Sequence, residues 1–346
     1  MTRARARTRV LICEDSRTFA AALTRTLEHG GEIEVIGVRT TAEAAIADLA
    51  RLQPDLVTMD IELPGMSGIE AVEQIMSVRP TPILILSAHI GVGSDTAAAA
   101  LAAGALEAMG KGDLPLTAPE STAAEAFRRR VAVLSRARVI RHPRARLPDR
   151  KANRAPKAAP PGAVIGICAS TGGPQALLAV LSGIPANFPV PILVVQHITP
   201  GFTAGLAQWL DGAVPLPVRL AKHGSALAPG VTIAPDGAHL VLRGRKLELD
   251  RSSPAGLHRP SADVLLSSIA ESAGSAGMAV VLTGMGRDGA AGLGAVQKAG
   301  GLTVAQDEES SAVFGMPKEA ARHGAKLVLP LAAIAAAIVG IGSKPR

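Results

Sequence analysis

Ala163-Val-Ile-Gly-Ile-Cys168-Ala-Ser170-Thr-Gly-Gly-Pro174 is an apolar run stopped abruptly by hydroxyls, glycines and a proline. Such a run reads as a buried strand, and its ending as a sharp turn into a helix. Ser170 then stands at the carboxyl end of a strand. In an open α/β sheet that is where ligands and reacting groups gather, because helix N-termini and flexible turns converge there. A plainer reading makes Ser170 and Thr171 a helix cap. The G-x-S-x-G elbow is also incomplete, with Cys168 where its first glycine belongs. Ser170 is a nucleophile only if the chain supplies partners for it.

The same strand-then-polar pattern recurs on the carboxyl side. A helix at 175–181 leads to the strand 190–197, which ends at His197. A helical stretch around Trp209 follows, then a β-meander over 231–249 with turn signals at Asp236-Gly237 and Gly244. A helix at 262–272 precedes a third buried strand, 278–282, whose exit Thr283-Gly-Met285-Gly-Arg-Asp288-Gly carries the next strong acid. One sheet edge can therefore gather Ser170, His197 and Asp288. A serine hydroxyl needs a base to take its proton, a role for His197 worth ~10²–10⁴ in rate. Asp288 would fix the imidazole tautomer and steady its charge. Backbone N–H groups of the glycine turns at 172–173 and 284–286 are candidates for an oxyanion hole. His223, His239 and His258 remain alternative bases, and Asp236, Asp263 and Asp307 alternative third members.

Amino-terminal to this, apolar runs at 10–13, 34–38, 55–59, 82–86 and 106–109 alternate with helical stretches such as 18–28 and 41–52. Strands alternating with helices imply a parallel sheet wound by right-handed crossovers. Polar residues again fall at the strand ends: Glu14 and Asp15, Asp60, Ser87, and Lys111. Carboxylates converging on one edge repel one another unless a hard cation sits among them, and Mg²⁺ prefers oxygen ligands. The set suits phosphoryl transfer, with Asp60 as acceptor, Glu14, Asp15 and Asp60 around the metal, and Ser87 and Lys111 against the acyl phosphate.

The two halves meet at a stretch of different composition. One helix is expected at 121–134, with Ala126, Phe127, Val131 and Leu134 on one face. Beyond it, arginine, proline, alanine and lysine run without apolar period to about 162, which is linker composition. Residues 128–157 hold twelve Lys or Arg and one acid, so the net charge of +7 is concentrated there and the rest of the chain is mildly acidic. Five Phe, one Trp and no Tyr offer little base stacking, and no helix-turn-helix or zinc-ligand spacing accompanies the run, so no nucleic-acid partner is expected. No stretch approaches the roughly 18 apolar residues of a membrane span, and 331–342 reads as a buried final helix. The arginine-studded start reads as a disordered lead-in without a secretion signal. Cys13 and Cys168 fall in core strands of different halves, which fits a reducing cytoplasm.

Glu14-Asp15-Ser16, Asp60-Ile-Glu-Leu-Pro-Gly-Met-Ser-Gly68, Leu86-Ser87-Ala88 and Lys111 resemble the receiver domains of two-component response regulators over about 8–125. The resemblance implies a flavodoxin-like domain with a five-stranded parallel sheet, phosphorylated on Asp60 with Mg²⁺ by a chemotaxis histidine kinase. Gly112 replaces the family's proline, and Ala108 stands at its aromatic switch position. After a linker at 126–161, the region from 162 to 342 carries Cys168-Ala-Ser170-Thr-Gly-Gly173, Gln196-His197-Ile-Thr-Pro200, Ala234-Pro-Asp236-Gly-Ala-His239, Thr283-Gly-Met285-Gly-Arg-Asp288 and Val313-Phe-Gly-Met-Pro317. These resemble the catalytic domain of the chemotaxis protein-glutamate methylesterases. That resemblance implies a doubly wound, mainly parallel α/β domain. It further implies hydrolysis of γ-methyl esters on chemoreceptor glutamates and deamidation of receptor glutamines, gated by phosphorylation and needing no cofactor for the esterase step. The family's serine, histidine and aspartate fall on Ser170, His197 and Asp288, and Thr171 and Met285 match positions flanking its site. An unphosphorylated receiver is expected to obstruct the Ser170 edge. A DNA-binding or non-catalytic response regulator, acting through protein contacts, is the alternative.

Overall fold

A computed structural model describes residues 7–88, 95–139, 160–252 and 258–342. The first six residues and most of the expected linker, 140–159, lie outside them. The chain divides into two compact units, Met1–His142 and Pro143–Arg346.

The first unit alternates strand and helix: β1 (Thr8–Cys13), α1 (Arg17–Glu28), β2 (Ile33–Arg39), α2 (Ala42–Leu52), β3 (Leu56–Asp60), α3 (Gly68–Val78), β4 (Ile83–Ser87), α4 (Asp95–Ala103), β5 (Glu107–Gly110) and α5 (Thr122–Leu134). The strands form one parallel sheet in the order β2-β1-β3-β4-β5. All five residues of β3 and of β4 are buried, as their unbroken apolar runs require. Side-chain caps start the helices: Ser16 for α1, Thr41 for α2, Ser121 for α5, and for α3 a full capping box between Ser67 and Glu70. The chain leaves β1 for β2 on one side and returns to β3 on the other, so the edge between β1 and β3 is the topological switch point.

The helix expected at the joint is α5, and it packs into this first unit. Phe127, Val131 and Leu134 are buried as read, but Ala124 fills the fourth inward position and Ala126 is exposed. The Arg128 guanidinium donates to the carbonyls of Thr26 on α1 (3.2 Å) and Pro119 (2.6 Å). A boundary at 125 would cut through this helix.

The second unit contains β6 (Val164–Ala169), α6 (Gly173–Ser182), β7 (Pro191–Gln196), α7 (Thr203–Ala213), β8 (Val218–Leu220), β9 (Gly230–Ile233), β10 (His239–Arg243), β11 (Lys246–Asp250), α8 (Ala262–Ala273), β12 (Gly277–Val281), α9 (Ala290–Lys298), β13 (Leu302–Gln306), α10 (Met316–Arg322), β14 (Leu327–Leu329) and α11 (Leu331–Val339). Seven strands pair in parallel in the order β14-β13-β12-β6-β7-β9-β8. The stretch read as a meander divides in two. Its first strand, β9, joins the main sheet beside β7, while β10 and β11 form a separate antiparallel hairpin. Gly244, at φ +57°, makes the hairpin turn.

Both faces of the large sheet are covered, which explains the lack of polar alternation in its strands. Ile165, Ile167 and Ala169 of β6 join one core with α6, α7 and α11, and Val164 and Cys168 join the other with α8, α9 and the hairpin. Leu193 and Val195 of β7, and Ala279 and Val281 of β12, share the α8 side. Continuing the two-residue alternation, positions 170 and 197 fall on that same side. Among the described residues no helix is long and apolar enough to cross a membrane.

Candidate active site

The carboxyl ends of β12, β6 and β7 lie side by side at the switch point of the seven-stranded sheet, where the chain turns one way to β7 and later the other way to β12. Ser170, His197 and the loop bearing Asp288 leave these three neighbouring ends. Backbone bonds continue the sheet past the last paired residues. Ser170 N–H donates to Thr283 O (3.0 Å) and His197 N–H to Ala169 O (2.9 Å), so 170 lies between 283 and 197. Ser170 and His197 are half-buried.

His197 Nε2 lies 2.9 Å from Asp288 Oδ2, an approach bent away from the straight N–H axis. The two side chains are only 8% and 14% exposed, so water screens the pair little. With Nε2 turned to the carboxylate, Nδ1 is the ring's remaining nitrogen, and among the described residues it makes no hydrogen bond, to the Ser170 hydroxyl or to any other group. In chymotrypsin-type triads it is Nδ1, not Nε2, that faces the aspartate.

Asp288 is held by the start of α8. Its Oδ1 accepts from Ser261 Oγ (2.9 Å) and from the N–H groups of Asp263 (2.9 Å) and Gly289 (3.1 Å), and Oδ2 accepts from Ala262 N–H (2.8 Å). A helix N-terminus presents unpaired N–H groups and a favourable dipole to an anion. Burial acts to raise this carboxyl, but the His197 contact and the Asp263 and Ala262 N–H groups outweigh it and hold Asp288 well below the ordinary carboxylate range. The adjacent Asp263 behaves oppositely: burial first, then the charge of Asp288, push it up against the pull of the Gly292 N–H.

Ser170's backbone is set by groups that carry no chemistry of their own. Buried Gln196 donates through Nε2 to Ser170 O and to His197 O, both at 2.8 Å, and so ties the two residues together. Thr283 Oγ1 donates to Thr171 O (3.0 Å) and accepts from Val313 N–H (2.9 Å), while Gln306 Oε1 accepts from Thr283 N–H (2.8 Å). Sequence reasoning missed these residues; their signal is a polar side chain written into the end of a buried strand. Two glycines permit the close fit. A Cβ on Gly173 would stand 2.0 Å from Gln196 Oε1, and one on Gly284 2.7 Å from Ser170 Cβ.

The glycine turns supply fewer amides than expected. Gly173 N–H is used by Ser170 O (2.7 Å) and Gly284 N–H by Val313 O (3.0 Å). Among the described residues the N–H groups of Gly172 and Met285 meet no protein acceptor. Thr171 is buried and Met285 half-buried on this rim.

The alternative residues have other engagements. Asp236 accepts from Gly201 N–H (2.9 Å) and Thr203 Oγ1, fastening the loop after His197, and Asp307 accepts from Ser310 N–H and Oγ. His223 Nδ1 accepts from Leu249 N–H (3.1 Å). His258 stacks on His197, with ring centroids 4.3 Å apart and planes 16° from parallel. Cys168, directly before the turn, is fully buried; burial first, then the charges of Asp288 and Asp263, push its thiol far up. A thiol so placed is a core residue and not a competing nucleophile.

The first unit has its own constellation at its own switch point. Glu14, Asp15 and Asp60 each bring a carboxylate oxygen within 4.8 Å of the others'. Lys111 Nζ reaches Asp60 Oδ2 at 2.6 Å and Glu14 at 2.7 Å, and lies 4.8 Å from the Phe19 ring centroid. Burial acts to lower the Lys111 ammonium, but its bonds to Asp60 and Glu14 outweigh it and hold it above its ordinary value. Burial, and beyond it the charge of Asp60, raise Glu14 against the pull of Lys111. Ser87 is buried at the end of β4, and Ala108, also buried, offers no aromatic ring to rearrange. An all-oxygen set of three carboxylates suits a hard divalent cation.

A family model described as CheB methylesterase matches residues 165–338, and one described as response regulator receiver domain matches residues 10–113. The chain is 44% identical over 324 residues, 89% of each chain, to a protein of Myxococcus xanthus named protein-glutamate methylesterase/protein-glutamine glutaminase 4. It is 44% identical over 328 residues to one so named, number 2, of Anaeromyxobacter dehalogenans, covering 93% of this chain and 94% of that one. Among solved structures, the CheB methylesterase catalytic domain of Thermotoga maritima aligns with a TM-score of 0.51 at 41% identity, covering 52% of this chain and 98% of that one. The DNA-binding alternative finds no support in these likenesses.

Proposed function

The chain belongs to the CheB methylesterase family, with a response regulator receiver ahead of the esterase, and from that membership we propose that it hydrolyses γ-glutamyl methyl esters on chemoreceptors and deamidates receptor glutamines under control of receiver phosphorylation. The observation that carries the chemistry is the His197–Asp288 pair beside the Ser170 turn at the switch point of a parallel sheet.

In this reading Ser170 Oγ attacks the ester carbonyl while its proton passes to His197 Nδ1. Asp288 steadies the imidazolium through Nε2, and the N–H groups of Gly172 and Met285 face the developing oxyanion. Collapse expels methanol, which takes the proton from His197, and leaves the glutamyl group esterified to Ser170. Water then attacks with His197 again as base, freeing the glutamate carboxylate and restoring the hydroxyl. A glutamine side chain passes through the same tetrahedral oxyanion and releases ammonia, so one site serves both reactions.

On the receiver, Asp60 is the phosphate acceptor and a histidine kinase the donor class. Glu14, Asp15 and Asp60 would hold Mg²⁺, which when bound neutralises charge on the transferring phosphoryl group. Lys111, paired with Asp60 here, is placed to take a phosphoryl oxygen in its stead, and Ser87 lines the same edge. The test is methanol release from methylated receptor by the full chain, with and without acetyl phosphate and Mg²⁺. Release that depends on Ser170 and rises with the phosphodonor is expected. Undiminished release by Ser170→Ala would reject the mechanism.

A further inference from the structure

We propose that His239 is a positioning residue for this hydrolysis: through Ser261 it fixes the peptide that holds both His197 and Asp288. The inference rests on the triad reading above and adds a residue that touches neither the substrate nor the reacting atoms.

His239 opens β10 and is fully buried. Its Nδ1 accepts from Ser261 N–H at 3.1 Å. A ring nitrogen that accepts cannot carry a proton, so the imidazole is neutral with its hydrogen on Nε2. Three charged groups face it: Arg259 from the segment before α8, Asp250 directly across the hairpin on β11, and Asp288. Burial first, and then Arg259, lower its basicity against the two carboxylates, which favours the neutral form.

Ser261 is where this bond acts on the site. Its Oγ donates to Asp288 Oδ1, and the next two N–H groups, of Ala262 and Asp263, also reach that carboxylate. Three residues upstream, His258 lies ring-on-ring with His197. One short peptide, 258–263, thus bears on two members of the triad. The rest of the hairpin is held along α8 by serines: Leu242 N–H donates to Ser268 Oγ (3.0 Å), Ser272 Oγ to Leu242 O (2.9 Å), and Gly244 N–H to Ser272 Oγ (3.3 Å). Those contacts fix the middle and far end of the helix. His239 makes the contact at its start, where a shift is passed directly to Asp288. A histidine serving only as core filling would need no acceptor aimed at that peptide.

The test uses the full chain with two substitutions. His239→Leu keeps apolar bulk and loses the acceptor, whereas His239→Asn keeps an oxygen near the Nδ1 position. The leucine variant is expected to lower kcat for the methyl ester about tenfold with KM little changed, the factor of one lost hydrogen bond. Its acid limb of kcat/KM moves to higher pH, because Asp288 relieved of the Ser261 hydroxyl holds the proton on the imidazole more firmly. The asparagine variant restores both within about twofold of wild type. A folded leucine variant with unchanged kcat and an unmoved acid limb overturns the proposal. Independently of turnover, long-range ¹H–¹⁵N spectra of the imidazole-labelled wild type should show Nδ1 of His239 unprotonated. A proton on Nδ1 overturns the proposal even if the leucine variant does not fold. If the wild type releases no methanol, the hydrolase reading fails, and the spectrum alone then decides the bond.

Discussion

Asp288→Asn should abolish turnover by inverting a tautomer, and the donor pattern around the carboxylate says which way. Oδ1 accepts from three donors, and Oδ2 accepts from one N–H and lies 2.9 Å from His197 Nε2. An amide accepts on one atom only, so its oxygen takes the Oδ1 position and its NH₂ the Oδ2 position. That NH₂ then faces the Ala262 N–H and His197 Nε2. The imidazole keeps a hydrogen bond only by presenting Nε2 as acceptor, which moves its own hydrogen to Nδ1. A protonated Nδ1 cannot receive the Ser170 proton. The corresponding change in a serine protease costs about 10⁴ in kcat, and a similar loss is expected here. Stability falls too, because one N–H of the helix start is left against a donor, at about 1–3 kcal/mol. Stopped-time methanol assays on the full chain, with a urea unfolding curve for the same preparation, separate the two effects. A folded Asp288→Asn protein within tenfold of wild-type kcat would refute the assignment of Nε2 to the carboxylate.

Ser170→Ala should lower methanol release on the order of 10⁶-fold, whereas Asp60→Asn should remove the acceleration by acetyl phosphate and Mg²⁺; retained acceleration in the latter moves the phosphate to another residue. Gly173→Ala places a Cβ where Gln196 Oε1 stands and displaces an amide that makes two 2.8 Å bonds. The second unit's unfolding transition should lose about 2–6 kcal/mol, at about 1–3 per buried group left unpaired, which urea titration measures. Acid stability has a defined sign. Because Asp288 is held below its ordinary value of 3.8, its contribution is present above that pH and is lost as the pH falls below it. Asp288→Asn should therefore flatten the loss of stability of the second unit below about pH 4, as read by thermal unfolding at stepped pH.

The strands that carry chemistry were legible because each is an apolar run ended by a polar residue; β6, β7 and β12 are bounded within about a residue of the sequence reading. Their adjacency was not, since hydrophobic pattern says nothing of strand order. The 231–249 stretch shows the limit most clearly: turn signals were read correctly, yet β9 joins the parallel sheet and leaves only a hairpin outside it. The supporting network escaped for a related reason. Gln196, Gln306 and Thr283 act through backbone carbonyls and amides of distant segments, and those partners exist only once the sheet has formed. Asp263 and Asp288 are both acids beside the same helix start. Only the geometry distinguishes them, since Asp288 collects four protein donors and the imidazole while Asp263 is tied to Gly292 N–H (2.7 Å).

The two units solve one problem by one device. In each, the chain leaves a central strand in one direction and returns on its other side, opening a cleft at the carboxyl edge where neighbouring strand ends part. What fills the cleft differs in electrostatic design. The receiver edge gathers three carboxylates, and Lys111 offsets the charge of two of them. The esterase edge places one carboxylate and distributes the compensation over a helix start, a serine hydroxyl and an imidazole. An edge offset by an ammonium paired directly with Asp60 is expected to rearrange when the charge at Asp60 changes. One offset by backbone N–H groups stays fixed, as electrostatic preorganisation of a reacting imidazole requires. On the proposed function, the contrast matches an edge that receives the signal and an edge that performs the hydrolysis.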